Sequence, residues 1–406
     1  MADAAPYTLK SFFSPPVVRR LAREIASVWP AFRSRAFERD ATTGLEALEL
    51  LDRGRHIGAA LGAHLPQAYP DAVDVLLRSL GAEHAGDENL GGGMAPFFYM
   101  PHLVFITDRG LDEFDLSMRA QYELTKRFTA EFSIRSFIAR DPERAFGYLD
   151  RWAGDASAHV RRLVSEGTRL RLPWAMRVPW LDAHPDRIIA LLDRLKDDSS
   201  SMVRRSVANS LNDLGKVHPR LLIATCRRWL KGNGQKAKGK GEGNRHGAGQ
   251  GKSQKNADPD QLTALIRHGL RSAIKRGDRD ALRLLGYGGV PAVRIERVRF
   301  TPASVNIGGR VVMEFVLRSR ASRAQQLLVD VAVHFVKASG RGSAKVFKLK
   351  TVALGPRAAV PLRASFSLKV HTTRRPQPGR HRVDVLVNGQ RFSAGSFLVR
   401  RAAAGR

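Results

Sequence analysis

The stretch Pro142–Trp152 reads PERAFGYLDRW, and two later stretches repeat its pattern. Pro185–Leu195 (PDRIIALLDRL) begins 43 residues later, and Pro219–Trp229 (PRLLIATCRRW) begins a further 34 residues on. Each stretch opens with proline, which costs no hydrogen bond at the first helical position, and continues with apolar residues at helical spacing. The first two are each followed by Val-Arg-Arg, at Val160 and again at Val203. Each repeat is therefore expected to contain two helices.

A period near 40 residues with two helices per unit is typical of HEAT-like α-repeats. Such units stack because none can bury its apolar face alone, and the stack forms an extended concave binding surface. We predict that the repeated valines pack inward and that the arginines beside them point outward. A basic pair at one fixed place in each unit further predicts that the concave surface binds an anion.

The hydrophobic period changes after Gly286–Pro291. Apolar and polar residues then alternate in roughly seven short segments, which predicts β-strands, and Asn388-Gly389 predicts a two-residue hairpin turn. We therefore predict a mainly α chain, with a HEAT-like α-solenoid in residues 1–289. A C-terminal all-β immunoglobulin-like sandwich is expected to follow in residues 290–406.

A Gly- and Lys-rich segment, residues 232–257, interrupts the last repeat. It holds no apolar residue larger than alanine, so it cannot repay the entropy cost of ordering and is predicted to be disordered. Helical spacing resumes at Pro259, which places the insert inside the repeat region rather than between domains.

Net charge is the most unusual bulk property. The 406 residues include 68 Lys or Arg and 38 Asp or Glu, a formal net charge of +30. Residues 290–406 alone hold 23 basic and 4 acidic residues, a net charge of +19. Such a field favours polyanions, chiefly nucleic acid or an anionic membrane. Because no helix divides into the basic and aromatic faces that membrane binding needs, nucleic acid is the favoured partner.

The chain shows no signal-peptide pattern and no long apolar stretch, so we expect a protein that acts in the cytoplasm without membrane contact. Its single cysteine, Cys226, excludes a disulfide framework and is expected to be a small core residue. No Walker loop, dinucleotide fingerprint, HExxH motif or Cys/His cluster occurs. We therefore expect neither a cofactor nor a metal.

The positions at which the repeats differ identify candidate site residues. Glu166 stands where the next unit has Asn209, and Asp213 stands where the earlier unit has Leu170. Trp174 follows a proline that the next unit lacks. These departures from the repeat indicate residues kept for something other than stacking.

Structural roles would also account for these residue types. Arg162 and Glu166 are four residues apart on one helix face, where an exposed ion pair is worth about 0.3–0.5 kcal/mol. Glu131 and Arg135 have the same spacing. Asp213 could belong to the polar end of its helix, before Gly215, and Trp174 could fill a gap between repeats.

The segments Ser157–Trp174, Asn209–Lys216 and Phe128–Phe137 resemble the AlkC branch of the AlkC/AlkD DNA glycosylases, which are HEAT-like repeat proteins that remove alkylated bases. The resemblance covers approximately residues 10–285. The basic β-sandwich behind it resembles the immunoglobulin-like domain of one AlkC subgroup. The Gly/Lys-rich insert departs from the family pattern.

The resemblance implies a monofunctional DNA-repair glycosylase, without lyase activity, that hydrolyses the N-glycosidic bond of cationic alkylated bases. The expected lesions are 3-methyladenine and also 3-methylcytosine, in double-stranded DNA, removed by a monomer without a base-flipping pocket. The implied catalytic group consists of three carboxylates and an aromatic neighbour: Glu131, Glu166, Asp213 and Trp174. The basic residues expected to contact the DNA are Arg161, Arg162, Arg204, Arg205 and Lys216.

The chemistry suits these residue types. Hydrolysis passes through an oxocarbenium-like transition state, which nearby carboxylates stabilise, and a carboxylate can also deprotonate the attacking water. A cationic base leaves without a strong general acid. Two other functions stay open: a nonenzymatic HEAT-repeat protein that binds bent or damaged DNA, and a protein-interaction scaffold, which would need acidic partners to match the +30 charge.

Overall fold

A computed structural model describes residues 8–84, 95–238, 259–336, 342–370 and 375–401. The chain divides into two compact units, Met1–Gly269 and Leu270–Arg406. The two short helices after Leu270 belong to the second unit, whereas the change of hydrophobic period predicts a domain boundary after residue 289. Within the described ranges, no helix is long and apolar enough to cross a membrane.

The first unit is helical. Its α-helices before the repeats are α1 (Pro15–Val28), α2 (Ser34–Thr42), α3 (Leu50–His64), α4 (Tyr69–Arg78), α5 (Met100–Arg109), α6 (Phe114–Thr125) and α7 (Ile134–Arg140). Those of the repeats are α8 (Pro142–Trp152), α9 (Ala158–Gly167), α10 (Pro179–Ala183), α11 (Pro185–Leu195), α12 (Ser201–Val217), α13 (Pro219–Lys238) and α14 (Pro259–Gly269). Short 3-10 helices at Leu9–Phe12, Leu45–Ala47 and Ala95–Tyr99 precede α1, α3 and α5.

The repeated stretches form the helix pairs that the sequence predicts. The prolines at 142, 185 and 219 open α8, α11 and α13, and Val160 and Val203 are fully buried in α9 and α12. Helix α12 packs against α9 before it and against α13 and α14 after it, so each unit covers the apolar face of its neighbour. Cys226 is buried in α13, as expected for a core residue.

Close packing of α3 on α5 depends on glycine. A Cβ atom on Gly58 would lie 2.6 Å from Val104 Cγ1, and one on Gly54 would lie 2.7 Å from Met100 Sδ. The two glycines are four residues apart and therefore share the helix face that meets α5. The helix backbones approach more closely here than any larger side chain would allow.

The Gly- and Lys-rich insert, residues 232–257, differs in part from the prediction that it is disordered. Helix α13 continues to Lys238, so residues 232–238 are helical rather than disordered. Once a helix has nucleated, each further residue costs little, so the helix continues through the poor helix formers Gly232 and Gly234 to the good helix formers of residues 235–238. Residues 239–257 of the insert lie outside the described residues.

The second unit begins with α15 (Arg271–Arg276) and α16 (Arg279–Leu284). Its strands are β1 (Val293–Thr301), β2 (Ser304–Asn306), β3 (Arg310–Ser319), β4 (Gln325–Val336), β5 (Gly342–Leu354), β6 (Ala359–Ser367), β7 (Gly379–Val387) and β8 (Gln390–Arg400). They form one sheet in the order β1-β3-β6 and another in the order β2-β8-β7-β4-β5. All described pairs are antiparallel except β2 with β8.

The alternating residues of both sheets form one apolar core, which includes Phe315, Val331 and Phe397. The Asn388-Gly389 turn adopts φ angles of 47° and 79°, which confirms the predicted hairpin between β7 and β8. Strand β2 was not predicted, because its three residues are too few to show alternation. The predicted fold class, helical repeats followed by an immunoglobulin-like sandwich, is confirmed.

Candidate active site

Two buried carboxylates on neighbouring repeats are joined by one arginine. Arg169, just after α9, donates from Nη1 to Glu166 Oε1 at 2.5 Å and from Nε to Asp213 Oδ2 at 2.8 Å. The side chain of Arg169 is 9% exposed and that of Asp213 is fully buried. Burial acts to lower the pKa of Arg169, but the charges of Glu166 and Asp213 outweigh it, and the pKa is raised. The guanidinium therefore stays charged between its partners.

The remaining oxygens of these two carboxylates are also hydrogen-bonded. Ser206 Oγ donates to Glu166 Oε2 at 2.6 Å, and Lys216 Nζ donates to Asp213 Oδ1 at 2.7 Å. Buried carboxylates persist only when their charge is paired and their lone pairs are used. Both side chains are thus fixed in place and shielded from solvent.

Glu131 is held in a different way. Thr129 Oγ1 and Arg162 Nη2 both donate to Glu131 Oε2 at 2.9 Å, and Arg162 Nη1 also reaches Thr129 Oγ1 at 3.2 Å. In the part of the chain that the structure describes, no hydrogen bond reaches Glu131 Oε1. The side chain is 14% exposed. One carboxylate oxygen is therefore fixed by hydrogen bonds, and the other can accept a hydrogen bond from water.

Trp174 lies in the loop between α9 and α10 and does not fill a gap between repeats, because 69% of its surface is exposed. Its φ angle is +63°, in the left-handed region. This conformation costs a residue other than glycine about 1–2 kcal/mol. Backbone strain that a protein retains is concentrated at functional sites, which makes this indole a strong candidate.

A buried arginine fixes this loop at both ends. Arg135 on α7 is 1% exposed and donates from Nε to the carbonyl of Met176 at 2.9 Å. Its Nη1 donates to the carbonyls of Gly167 and Arg169 at 2.8 and 2.9 Å. Burial lowers the pKa of Arg135 to about 10. One guanidinium thus holds the segment that carries both Arg169 and Trp174.

The first arginine of each Val-Arg-Arg makes internal contacts. Arg161 Nη1 donates to two carbonyls of the turn before α9, at 2.8 and 2.9 Å, and Arg204 Nη1 donates to two carbonyls before α12, at 2.6 and 2.8 Å. Arg161 also forms a bidentate ion pair with Asp198, at 2.7 and 2.9 Å. These contacts with the turn carbonyls explain why an arginine recurs at this position of the repeat. Contact of Arg161 or Arg204 with phosphate stays a prediction.

The other residues predicted to bind DNA differ in accessibility. Arg205 is exposed, and the side chain of Lys216 is 43% exposed although it pairs with Asp213. Arg162 is 18% exposed and engaged with Glu131.

Neither of the two ion pairs that four-residue spacing would allow, Arg162 with Glu166 and Glu131 with Arg135, is formed. Arg162 turns to Glu131 on the preceding connection, while Glu166 pairs with Arg169. Arg135 turns to main-chain carbonyls instead of Glu131. Arg162 and Arg135 both turn to partners more than 30 positions away in sequence, where the contact is more buried than on the helix surface, whereas Glu166 pairs with Arg169 only three positions away.

Sequence reasoning missed Arg169, Thr129 and Ser206. The sequence does contain a signal for Arg169. The equivalent position of the next repeat, 43 residues later, is Asn212, so Arg169 differs from the repeat just as Glu166 does. Thr129 and Ser206 are ordinary polar residues in the sequence. The structure brings Glu166 and Asp213 together, whereas the catalytic and DNA-binding roles stay predictions.

Comparison with known proteins covers both units. Residues 294–401 match the family model described as the C-terminal Ig-like domain of the uncharacterised protein YhaZ. Uncharacterized protein YhaZ of Bacillus subtilis (strain 168) is 30% identical over 394 residues, which cover 96% of this chain and 99% of that protein.

A solved structure matches over almost the same length. The Pseudomonas fluorescens alkylpurine DNA glycosylase AlkC, bound to DNA containing an abasic site analog, is 35% identical with a TM-score of 0.83. The match covers 97% of this chain and 100% of that one, and so includes both the helical repeats and the β-sandwich. The chain therefore belongs to the AlkC/YhaZ branch of the HEAT-like repeat proteins, the branch that its sequence resembles.

Proposed function

We propose that this protein is a DNA glycosylase that excises cationic alkylated bases, chiefly 3-methyladenine and also 3-methylcytosine. Full-length similarity to an alkylpurine DNA glycosylase supports the reaction class. The observation that carries the proposal is the state of Glu131: Arg162 and Thr129 fix one of its oxygens, and its other oxygen is available to water.

In the proposed reaction, Glu131 Oε1 accepts a hydrogen bond from water and removes its proton as the water oxygen bonds to C1′ of the damaged nucleotide. The bond from C1′ to the base breaks, and its electron pair passes to the base nitrogen. This neutralises the cationic base, so that the leaving group needs no proton from an acid. The products are a free base and an abasic site.

The buried ion pairs that Arg169 and Lys216 form with the two carboxylates also contribute to this step. Glu166 and Asp213 are the negative ends of fixed ion pairs in a region of low dielectric, and we propose that the orientation of these pairs stabilises the positive charge that develops on the sugar. Arg169 and Lys216 keep these charges fixed rather than free to reorganise. The exposed indole of Trp174 packs against the deoxyribose or attracts the cationic lesion.

Double-stranded DNA is the proposed partner. Arg205 and Lys216 are accessible for phosphate contacts, which position a duplex without reading its sequence. The +19 charge of residues 290–406 adds affinity for the backbone. We further propose cleavage of a base that is still in the duplex, by a monomer acting on cytoplasmic DNA. No lyase step is proposed, since the Lys216 amine is ion-paired with Asp213.

The test is the release of free 3-methyladenine from methylated duplex DNA by the purified full-length protein, measured by chromatography. Release with formation of abasic sites is expected. Tight, salt-sensitive binding of DNA without any released base would overturn the enzyme and leave a nonenzymatic DNA-binding protein.

A further inference from the structure

A cavity of about 490 Å³ lies between α3, α5 and the loop that carries Trp174. Its volume is within the range of about 300–1,000 Å³ that is usual for small-molecule sites. Three aromatic side chains, Phe128, Phe132 and Trp174, contribute to its walls, and Met100 and Val104 are among its aliphatic residues. Flat aromatic walls favour a flat, aromatic occupant.

The cavity is lined by sequence neighbours of the candidate catalytic residue Glu131, which does not itself line it. Phe132 and Ser133, which immediately follow Glu131, both line it, and so does Phe128 on the other side of Thr129. Trp174 also lines the cavity, and its indole is largely exposed. A molecule released next to Glu131 would therefore meet this cavity.

The charge of the cavity does not suit a phosphate. Arg55 and Asp108 both line it, and Arg55 Nη1 is already ion-paired with Asp52 Oδ1 at 2.7 Å. Partial burial raises the pKa of Asp108, and the nearby positive charge of Arg55 offsets this only in part. In a chain of net charge +30, a cavity without excess positive charge fits a neutral heterocycle better than a backbone anion.

We propose that this cavity receives the excised alkylpurine after the N-glycosidic bond is broken. The inference rests on the proposed function and adds a product site to it. Once detached, the base is neutral, planar and free of the sugar–phosphate chain, which matches the aromatic walls. The carboxylate of Asp108 at the lining can accept a hydrogen bond from the exocyclic amino group of the base. Thr107 Oγ1 already donates to the carbonyl of Leu103 at 2.8 Å, so this hydroxyl can also act as an acceptor for the amino group.

The test uses free 3-methyladenine and the full-length protein. Binding is followed by quenching of tryptophan fluorescence, since Trp174 is a wall residue, and by inhibition of base release from methylated duplex. The narrowing variant is Ala59→Leu, at an exposed alanine on α3 that lines the cavity. The matched control is Ala139→Leu, at an exposed helical alanine on α7 that does not line it.

We expect the free base to bind and inhibit the wild type, and its inhibition constant to rise about tenfold in Ala59→Leu relative to Ala139→Leu. Release of base by a wild type that free 3-methyladenine neither binds nor inhibits would overturn the product site while the proposed function stands. Equal inhibition constants in the two variants would overturn it too.

Binding of an uncleaved duplex tests whether the cavity holds the excised base or a base that is still attached to the DNA. If Ala59→Leu weakened binding of an uncleaved, lesion-containing duplex as much as it weakened binding of the free base, the cavity would hold an attached base, and our assignment would be wrong. If no base were released at all, the proposed function would fail, and the product site would fail with it.

Discussion

Arg169 Nε donates to Asp213 Oδ2 at 2.8 Å across 44 positions of sequence, and this bond links the segment just after α9 to the C-terminal part of α12. The contact joins two successive repeats at the place where their sequences differ most in charge. Both side chains are buried, so each charge depends on its partners: Arg169 also pairs with Glu166, and Asp213 also pairs with Lys216.

We expect Asp213→Asn to destabilise the protein by about 3 kcal/mol, because it leaves Arg169 with one buried partner instead of two and Lys216 with none. Urea unfolding at neutral pH measures this change. Glu143→Gln is the control, since Glu143 is 70% exposed and its ion pair with Arg187 contributes about 0.5 kcal/mol or less. Equal stability of the two variants would show that the buried network is not structural.

Glu131→Gln tests the proposed base directly. The amide keeps the size of the side chain and its contacts with Arg162 and Thr129, but it cannot accept a proton. Base release in single-turnover experiments is expected to fall about 100-fold or more. Affinity for the duplex should change little, as measured by fluorescence anisotropy. Full activity of this variant would mean that a group other than Glu131 removes the proton from water.

The helices and strands could be predicted because their signals are local. Proline followed by helical spacing defines the start of α8 and α11, and Asn388-Gly389 defines a turn from two adjacent residues. The extension of α13 to Lys238 was not predicted. The prediction of disorder used only the composition of the segment and did not consider that the preceding helix could continue into it. Strand β2 depends on its partner β8 and not on its own residues.

The candidate site was only partly predictable for a related reason. Glu166 and Asp213 could be found because the repeat supplies its own reference sequence. Their pairing through Arg169 could not, because a hydrogen bond between repeats depends on how the units stack. Arg135 looked like half of a surface ion pair, and only the fold reveals that its guanidinium is buried among three carbonyls.

Two substitutions of Trp174 separate its backbone strain from its function. Trp174→Gly and Trp174→Ala both remove the indole, so both should slow base release. Glycine tolerates the φ angle of +63°, whereas alanine retains the strain. The glycine variant is expected to be more stable than the alanine variant by about 1 kcal/mol, after allowance for the greater freedom of glycine in the unfolded chain. Thermal unfolding compares them, and equal stabilities would show that the loop relaxes when the ring is gone.

The stability of the helical unit should depend on pH through His102. This side chain is 1% exposed in α5 beside Phe98 and Tyr99, and within the described ranges its Nδ1 has no hydrogen-bond partner. Burial lowers its pKa from 6.5 to about 3. Below pH 6.5 the unfolded chain therefore binds a proton that the folded chain does not, so stability is complete above pH 6.5 and is lost as the pH falls.

At pH 5 this loss amounts to about 2 kcal/mol relative to neutral pH. His102→Phe replaces the imidazole with a ring that suits the aromatic neighbours and cannot titrate. We expect the difference in unfolding free energy between pH 7 and pH 5 to be smaller in the variant than in the wild type by that amount. Urea unfolding at the two pH values measures it, and the comparison of differences cancels any effect of the substitution on packing. An unchanged pH dependence would mean that His102 is protonated in the folded protein as readily as in the unfolded chain.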